Sequence, residues 1–278
     1  MALTVARHVA RAMERIAPLG LAEKWDNVGL LLEAPHQPQR DAHSILLTVD
    51  LTTNVVEEAL ALPASVIISY HPPIFRPLSS FTLANPIQAS LLRCAAAGIS
   101  VYSPHTSLDS VYGGINDWLA SGLGTGKVEL IHSEHESGRG GTGRIARLEE
   151  KVSMQTLQER IKTHLRLEHL QVALNTVSPE KEIGSIAICA GSGGSMLLDV
   201  DADVYFTGEM AHHEVLAAIA AGKNVVLCGH TNTERGYLPT LASKLQDTFA
   251  SADGQELGFA SQLSVSISAK DRHPLDIV

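Results

Sequence analysis

Three histidines stand where runs of apolar residues give out. His71 follows SVIISY, His105 follows ISVYSP, and His230 follows NVVLCG. Two of them are followed four residues later by a carboxylate, Asp109 after His105 and Glu234 after His230. Imidazole mixed with carboxylate is the donor set that suits Zn, Fe, Mn or Ni, whereas Ca and Mg favour oxygen alone. A carboxylate can also bridge two cations, as in two-metal hydrolases. Plainer readings exist for every position. A histidine at a strand end is commonly a solvated or hydrogen-bonded loop residue, Asp109 can serve as an N-cap, and Glu234 can be a first-turn acid. The pattern raises the metal reading, and the residues alone leave both readings open.

The elements that must position these side chains can be read from the same runs. SILLTVD, SVIISY and ISVYS alternate with the helix-like TTNVVEEALAL and NPIQASLLRCAAAG, which is the rhythm of a layered α/β domain with mainly parallel strands. Ligands of open α/β sheets bind at the carboxyl ends of strands, which is where the three histidines fall. From 122 to 144 the chain is rich in Gly, His and charge, a composition expected of a connection between two α/β halves. The boundary is placed there, giving an N-terminal α/β domain over 1–125 and a second α/β domain over 126–278. In the second half RIARLEE, HLQVAL, SIAICA, DVYFTG, NVVLCG and QLSVSIS read as strands, and SMQTLQERIKTHL as a helix capped by Ser153. A further helix is expected from about Thr233 to Phe249, with Glu234 in its first turn. No internal repeat of solenoid period is visible.

Smaller signals accompany these. The loop GSGGS after SIAICA could present backbone N–H groups to an anion or phosphate. His212 and His213 either line the same cleft or begin a helix with Glu214, and the second reading is preferred. Cys228, two residues before His230, reads as a core thiol.

Composition narrows the function classes. Of 278 residues 45% are hydrophobic and 18% charged, which specifies a folded chain. Lys+Arg number 21 against 30 Asp+Glu, a net charge of −9, and no basic run offers a footprint for direct nucleic-acid binding. The three cysteines, Cys94, Cys189 and Cys228, lie scattered in apolar segments, so a reducing compartment is expected. No apolar stretch is long enough to span a bilayer and no signal-peptide core is seen, so no membrane association is expected. The start MALTVARHVARAMERIAP, with Arg7, Arg11 and Arg15, faintly resembles a mitochondrial presequence, but the reading preferred is an amphipathic first helix ended by Pro18. A cytoplasmic location is expected, with mitochondrial or nuclear ones as alternatives.

Several ordered stretches together carry a resemblance that runs nearly end to end: LAEKWDNVGLLLE, LLTVDLTTNVVEEAL, SYHPPIF, SPHTSLDS, GTGR, ICAGSGG, DVYFTGEMAHHE and GHTNTERGYL. In these the chain resembles the Ngg-interacting-factor-three (Nif3-like) family, also called GTP cyclohydrolase I type 2 homologues. The resemblance implies two α/β domains in a Nif3-like fold, a homo-oligomer that is commonly a hexamer, and a dinuclear-type metal site in the cleft between the domains. It implies His71, Asp109, His230 and Glu234 as ligands of one or two divalent ions per chain, with Glu234 in the bridging place. His105 matches the histidine of the family's HT..D motif, close to the metals, and is the candidate proton shuttle beside Glu234. One departure stands out. Many members carry two adjacent histidines before the proline, and here the first is Tyr70, whose phenol is a poor ligand unless deprotonated; it could hydrogen-bond a water at the metal, and one metal position could be weaker or empty. The activity implied is metal-dependent hydrolysis of a small nucleotide-like or phosphorylated substrate, with GTP itself not favoured. The alternative is an adaptor or transcription-regulatory protein with a structural metal site; metal sensing or delivery is a third option.

Overall fold

Short polar side chains open the helices where the sequence places them. Thr4 accepts the Arg7 N–H ahead of α1 (Val5–Ile16), Thr52 accepts the Val55 N–H ahead of α2 (Thr53–Ala61), and Asn85 accepts two N–H groups ahead of α3 (Pro86–Ala96). Each satisfies donors that the first helical turn leaves without a partner. After α4 (Thr106–Ser110) and α5 (Ile115–Ser121), Ser153 caps α6 (Met154–Leu165) as expected; α7 (Gly194–Leu197), α8 (His212–Ala220) and α9 (Leu238–Ala250) complete the helices. The strands are β1 (Gly29–Leu32), β2 (His43–Thr48), β3 (Val66–Ser69), β4 (Ser100–Ser103), β5 (Gly126–Leu130), β6 (Arg144–Val152), β7 (Gln171–Ala173), β8 (Ile183–Ser192), β9 (Val204–Glu209), β10 (Asn224–Leu227) and β11 (Leu263–Ile267). The structure, a computed structural model, describes residues 4–36, 38, 42–132, 135–175, 181–251 and 263–278.

Contacts gather the chain into two units, Met1–Leu108 with Tyr237–Arg272, and Asp109–Gly236 with His273–Val278. The sequence reading drew a single boundary at 125/126. The first unit is discontinuous because β11, far along the chain, pairs in parallel with β2 from Leu263↔His43 to Ile267↔Leu47. Asp271 then accepts the Val49 N–H at 2.8 Å and ties the returning segment to the end of β2.

The first unit is built on a sheet in the order β1-β4-β3-β2-β11, parallel except at the β1 edge, as the strand–helix alternation predicts. Val55, Val56 and Ala59 of α2 and Leu91 and Cys94 of α3 pack on Leu46, Ile67 and Val101 of the sheet. Each Val, Leu and Ile among these is fully buried and contributes about 1.5–3 kcal/mol on removal from water. The N-terminal segment with its three arginines is α1, whose Val5, Val9, Ala12 and Met13 are buried while Arg7 pairs with Glu33 at the surface.

The second unit carries a sheet in the order β5-β6-β8-β9-β10-β7. Only β8-β9 and β9-β10 are parallel, so this sheet is mixed. The stretch read as a connection contains β5, which pairs antiparallel with β6 from Gly126↔Leu148 to Leu130↔Arg144. Its alternation is hidden by an exposed face, since Gly126, Lys127 and Val128 are all exposed. Ile145, Ala187, Tyr205, Val225 and Ala218 form the core between sheet and helices.

Candidate metal centre

In the first unit, β3 ends at Ser69 and the ladder to the β2 segment continues for two more bonds, from Tyr70 N–H to Thr48 O and from His71 N–H to Val49 O. Pro72 and Pro73 follow, and with no N–H to offer and fixed φ they end the pairing and stiffen the exit. His71 thus leaves a held strand end. Its Nδ1 lies 2.9 Å from Asp50 Oδ1, at the end of β2. His105 leaves β4 in a left-handed backbone conformation, φ +32°, which a residue with a Cβ seldom adopts and which marks strain concentrated at this position. Its N–H donates to Tyr70 O, and its Nδ1 lies 2.7 Å from Asp26 Oδ1. Burial pushes the Asp26 carboxyl up, but the bonds from His105 and from the Thr106 hydroxyl and N–H outweigh it and hold the group below the usual carboxylate range. Tyr70 is buried with its ring against both imidazoles, 4.9 Å from His71 and 5.5 Å from His105.

In the second unit, His230 follows β10 after Cys228 and Gly229. Its Nδ1 lies 2.8 Å from Glu209 Oε1, at the end of β9, and its Nε2 lies 3.3 Å from Glu234 Oε1. Glu234 is 2% exposed. It does not sit in the first turn of a helix: it falls between two 3-10 turns, His230–Thr233 and Arg235–Tyr237, and α9 begins only at Leu238. Pro239 accounts for the late start, because it is tolerated in a first turn and not beyond it. The expected helix-dipole support for the carboxylate is therefore absent. What holds the pair close is glycine. A Cβ on Gly191, at φ +64°, would stand 2.8 Å from both Glu234 Oε1 and His230 Nε2, and one on Gly208 would stand 2.7 Å from His230 Cα. The Gly191 N–H donates to Thr233 Oγ1 at 2.8 Å and pins the turn that carries both side chains.

Asp109 belongs to the same unit. Its carbonyl accepts from Asn116 Nδ2 at 3.1 Å, and Asn116 Oδ1 accepts the Ala190 N–H at 2.9 Å, so one amide links the Asp109 segment to β8. Arg144, the arginine of GTGR, is 1% exposed and spends its guanidinium on Asp117 and on the carbonyls of Ser110, Val111, Gly141 and Gly143. The backbone next to Asp109 is thereby fixed. Burial first, then the negative charges of Asp109 and Glu234, push the Cys189 thiol up and keep it protonated.

Each of the three strand-end imidazoles thus has Nδ1 held by a carboxylate, Asp50, Asp26 or Glu209. A proton on Nδ1 leaves the lone pair on Nε2, the arrangement by which a carboxylate orients a metal-ligating histidine. His71, His230 and Glu234 each offer a donor atom that suits a divalent ion. The three orienting acids escaped the sequence reading, which searched strand ends for histidine first; Asp50 and Glu209 themselves close the runs SILLTVD and VYFTGE.

The remaining signals resolve differently. His212 and His213 start α8, and Glu214 accepts the Ala211 N–H at 2.8 Å. A Cβ on Gly194 would meet Glu214 Oε2 at 1.9 Å, so an acid already lies over the glycine loop and opposes an anion there. Cys228 is buried, as read.

A family profile described as Duf34/NIF3 (NGG1p interacting factor 3) matches residues 4–263. The NIF3 homolog of Schizosaccharomyces pombe is 44% identical over 257 residues, spanning 88% of this chain and 90% of its own. The NGG1-interacting factor 3 of Saccharomyces cerevisiae is 38% identical over 262 residues, with 86% and 90% covered. Among solved structures, a Bacillus cereus protein related to NIF3 superposes with a TM-score of 0.83 at 21% identity over 100% of both chains. Reduced HcgD from Methanocaldococcus jannaschii does so with 0.75 at 24%, over 95% of this chain and 97% of that one. These superpositions establish the fold.

Proposed function

The chain belongs to the Duf34/NIF3 family, and from that premise we propose that it binds divalent metal through His71, Asp109, His230 and Glu234, and hydrolyses a small nucleotide-like or phosphorylated substrate. The observation that carries the reading is the pairing of His71 with Asp50 and of His230 with Glu209, which turns Nε2 outward as a donor in both. Buried Glu234 supplies the carboxylate beside His230 Nε2. Zn, Fe, Mn and Ni fit this donor set, and bound metal would polarise the scissile group and activate water.

The chain's own residues supply the rest. Glu209 and Asp50 hold the imidazole tautomers, Asn116 and Arg144 hold the Asp109 segment, and Asp26 holds His105 with a proton on Nδ1. His105 can then accept a proton at Nε2 and return it to a leaving group. Tyr70, packed against both imidazoles, takes the place of a second histidine and fills it with an aromatic ring; one metal per chain is the stoichiometry this favours. Metal analysis of the purified protein, with a hydrolysis screen over phosphate esters and nucleotides, tests the reading. A His230→Ala protein with full metal content and full activity overturns it.

A second reading rests on the name of the Saccharomyces cerevisiae relative, an NGG1-interacting factor: an adaptor whose metal site is structural. It predicts that a partner is bound equally by metal-loaded and metal-stripped protein, and that no substrate is turned over. Homo-oligomerisation, with a hexamer as the expected state, belongs to either reading. Leu78, Phe81, Leu83 and Ile87 of the first unit are exposed within ten residues and offer apolar surface for it; light scattering at several concentrations measures the state.

A further inference from the structure

Two large aromatic side chains of the first unit stand in solvent beside the histidines. Trp25 is 61% exposed and Phe75 47%, with ring centroids 6.0 Å apart, edge to face. Both also pack edge-on against His105, at 6.1 and 6.3 Å, and His105 lies 5.4 Å from His71. A stack of this kind in a core would be sealed from water; here its outer members are open. The backbone that carries the two rings is also held in place. Asp26, next to Trp25, is fixed by His105 and Thr106, and Asn27 donates through Nδ2 to the carbonyl of Ile74, next to Phe75. Leaving large apolar faces exposed and rigid carries a solvation cost with no folding return. Exposed cations flank both rings in a chain of net charge −9: Lys24 precedes Trp25 and Arg76 follows Phe75.

From this we infer that Trp25 and Phe75 form a platform on which the planar ring of an anionic substrate stacks, so that the substrate class is nucleoside monophosphate-like and the base, not the sugar, supplies the binding energy. This rests on the hydrolase reading for its link to turnover and not for the platform itself. Stacking on an aromatic face is tolerant of base identity because every base has a π face. All four common nucleoside 5′-monophosphates should therefore bind with similar affinity, and Lys24 and Arg76 favour the phosphate end.

The experiment is calorimetric titration of the metal-loaded full chain with the four nucleoside monophosphates and with ribose 5-phosphate, which keeps the anion and lacks the ring. Expected are measurable binding of all four nucleotides, little of ribose 5-phosphate, and a loss of about 5- to 150-fold in nucleotide affinity for Trp25→Ala and Phe75→Ala. Trp25→Phe keeps a ring and should recover most of it. Because Trp25 is largely exposed, its alanine variant should fold, which circular dichroism checks. Unchanged nucleotide affinity in both alanine variants, equal binding of ribose 5-phosphate, or no nucleotide binding by the wild-type protein each overturns the platform. Metal content is measured on the same samples and judges the metal reading separately: a Trp25→Ala protein with full metal and lost nucleotide binding is the outcome expected.

Discussion

Removing the Arg144 side chain should be among the most damaging single changes in the second unit that touch no proposed ligand. The guanidinium is 1% exposed and donates six hydrogen bonds, to Asp117 Oδ1 and Oδ2 at 2.7 and 2.9 Å, to Gly141 O and Gly143 O at 2.7 and 2.9 Å, and to Ser110 O and Val111 O at 3.1 Å each. Breaking a buried ion pair from one side costs about 3–5 kcal/mol, because the partner charge stays behind uncompensated. Three features hold the loss near the lower limit. Asp117 is 23% exposed and still accepts the Gly113 N–H, and the Ser110 and Val111 carbonyls still accept the N–H groups of Gly141 and Gly114. The expectation for Arg144→Met is a loss of about 3 kcal/mol, a large part of the roughly 5–15 kcal/mol typical of a folded domain. Arg144→Lys keeps the charge but has only three donors for six acceptors, so it should recover part of the loss. Adding Asp117→Asn to Arg144→Met should cost less than the sum of the two single changes, since the stranded charge is gone. Urea unfolding followed by Trp118 fluorescence in a Trp25→Phe background reports on the second unit, to which Trp118 belongs. An Arg144→Met protein within 1 kcal/mol of the parent, or a strictly additive double mutant, refutes the reasoning.

Other expectations follow from single contacts. Glu209→Gln removes the carboxylate that holds His230 Nδ1, and loss of such an orienting partner lowers metal affinity about 10- to 100-fold; competition against a chelator of known affinity measures it, and unchanged retention counts against His230 as a ligand. Gly191→Ala puts a Cβ 2.8 Å from both Glu234 and His230 at a positive φ, so metal affinity should fall even if the protein stays folded, as metal analysis after dialysis would show. Asp203 is pushed up by burial, yet Lys181, the Gly184 and Ser185 N–H groups and the Ser185 hydroxyl hold it below its ordinary value of 3.8. Its folded pKa lies below the unfolded one, so its contribution is fully present above about pH 4 and is lost as pH falls through the folded value; Asp203→Asn should be less stable at neutral pH and should flatten the acid limb of a stability profile. Cys94, pushed up to about 12 by burial, should resist thiol reagents at pH 8 in the folded protein and react on unfolding, and rapid native labelling would contradict its place in the core.

Much of the fold was legible because periodicity and caps agree. α2, α3 and α6 are capped by Thr52, Asn85 and Ser153, each with the hydroxyl or amide that a first turn demands, and β2 and β3 beside the first two carry the apolar runs ILL and VII. β5 was hidden because an exposed strand edge needs no apolar alternation. The return of β11 to the first unit was hidden for a different reason: its pairing with β2 joins residues more than two hundred positions apart, and no local pattern encodes a partner at that distance. The late start of α9 could have been read from Pro239, two residues inside the helix, but the apolar spacing upstream of it mimicked an earlier start.

The placing of the histidines at strand ends was legible, and their orientation was not. Nothing local in SYHPPIF says which ring nitrogen of His71 faces outward; that is decided by Asp50, twenty-one residues earlier and one strand over. The same holds for His230 and Glu209 across β9 and β10, and for His105 and Asp26. In each pair the carboxylate arrives from a neighbouring element. Parallel strands bring their carboxyl ends to one edge of the sheet, so an acid closing one strand meets an imidazole closing the next, as Asp50 meets His71 across β2 and β3 and Glu209 meets His230 across β9 and β10. The sheet thus fixes tautomers as well as positions. A chain that kept its histidines but lost Asp50 and Glu209 would still present the imidazoles, with either nitrogen outward and their donor direction no longer set.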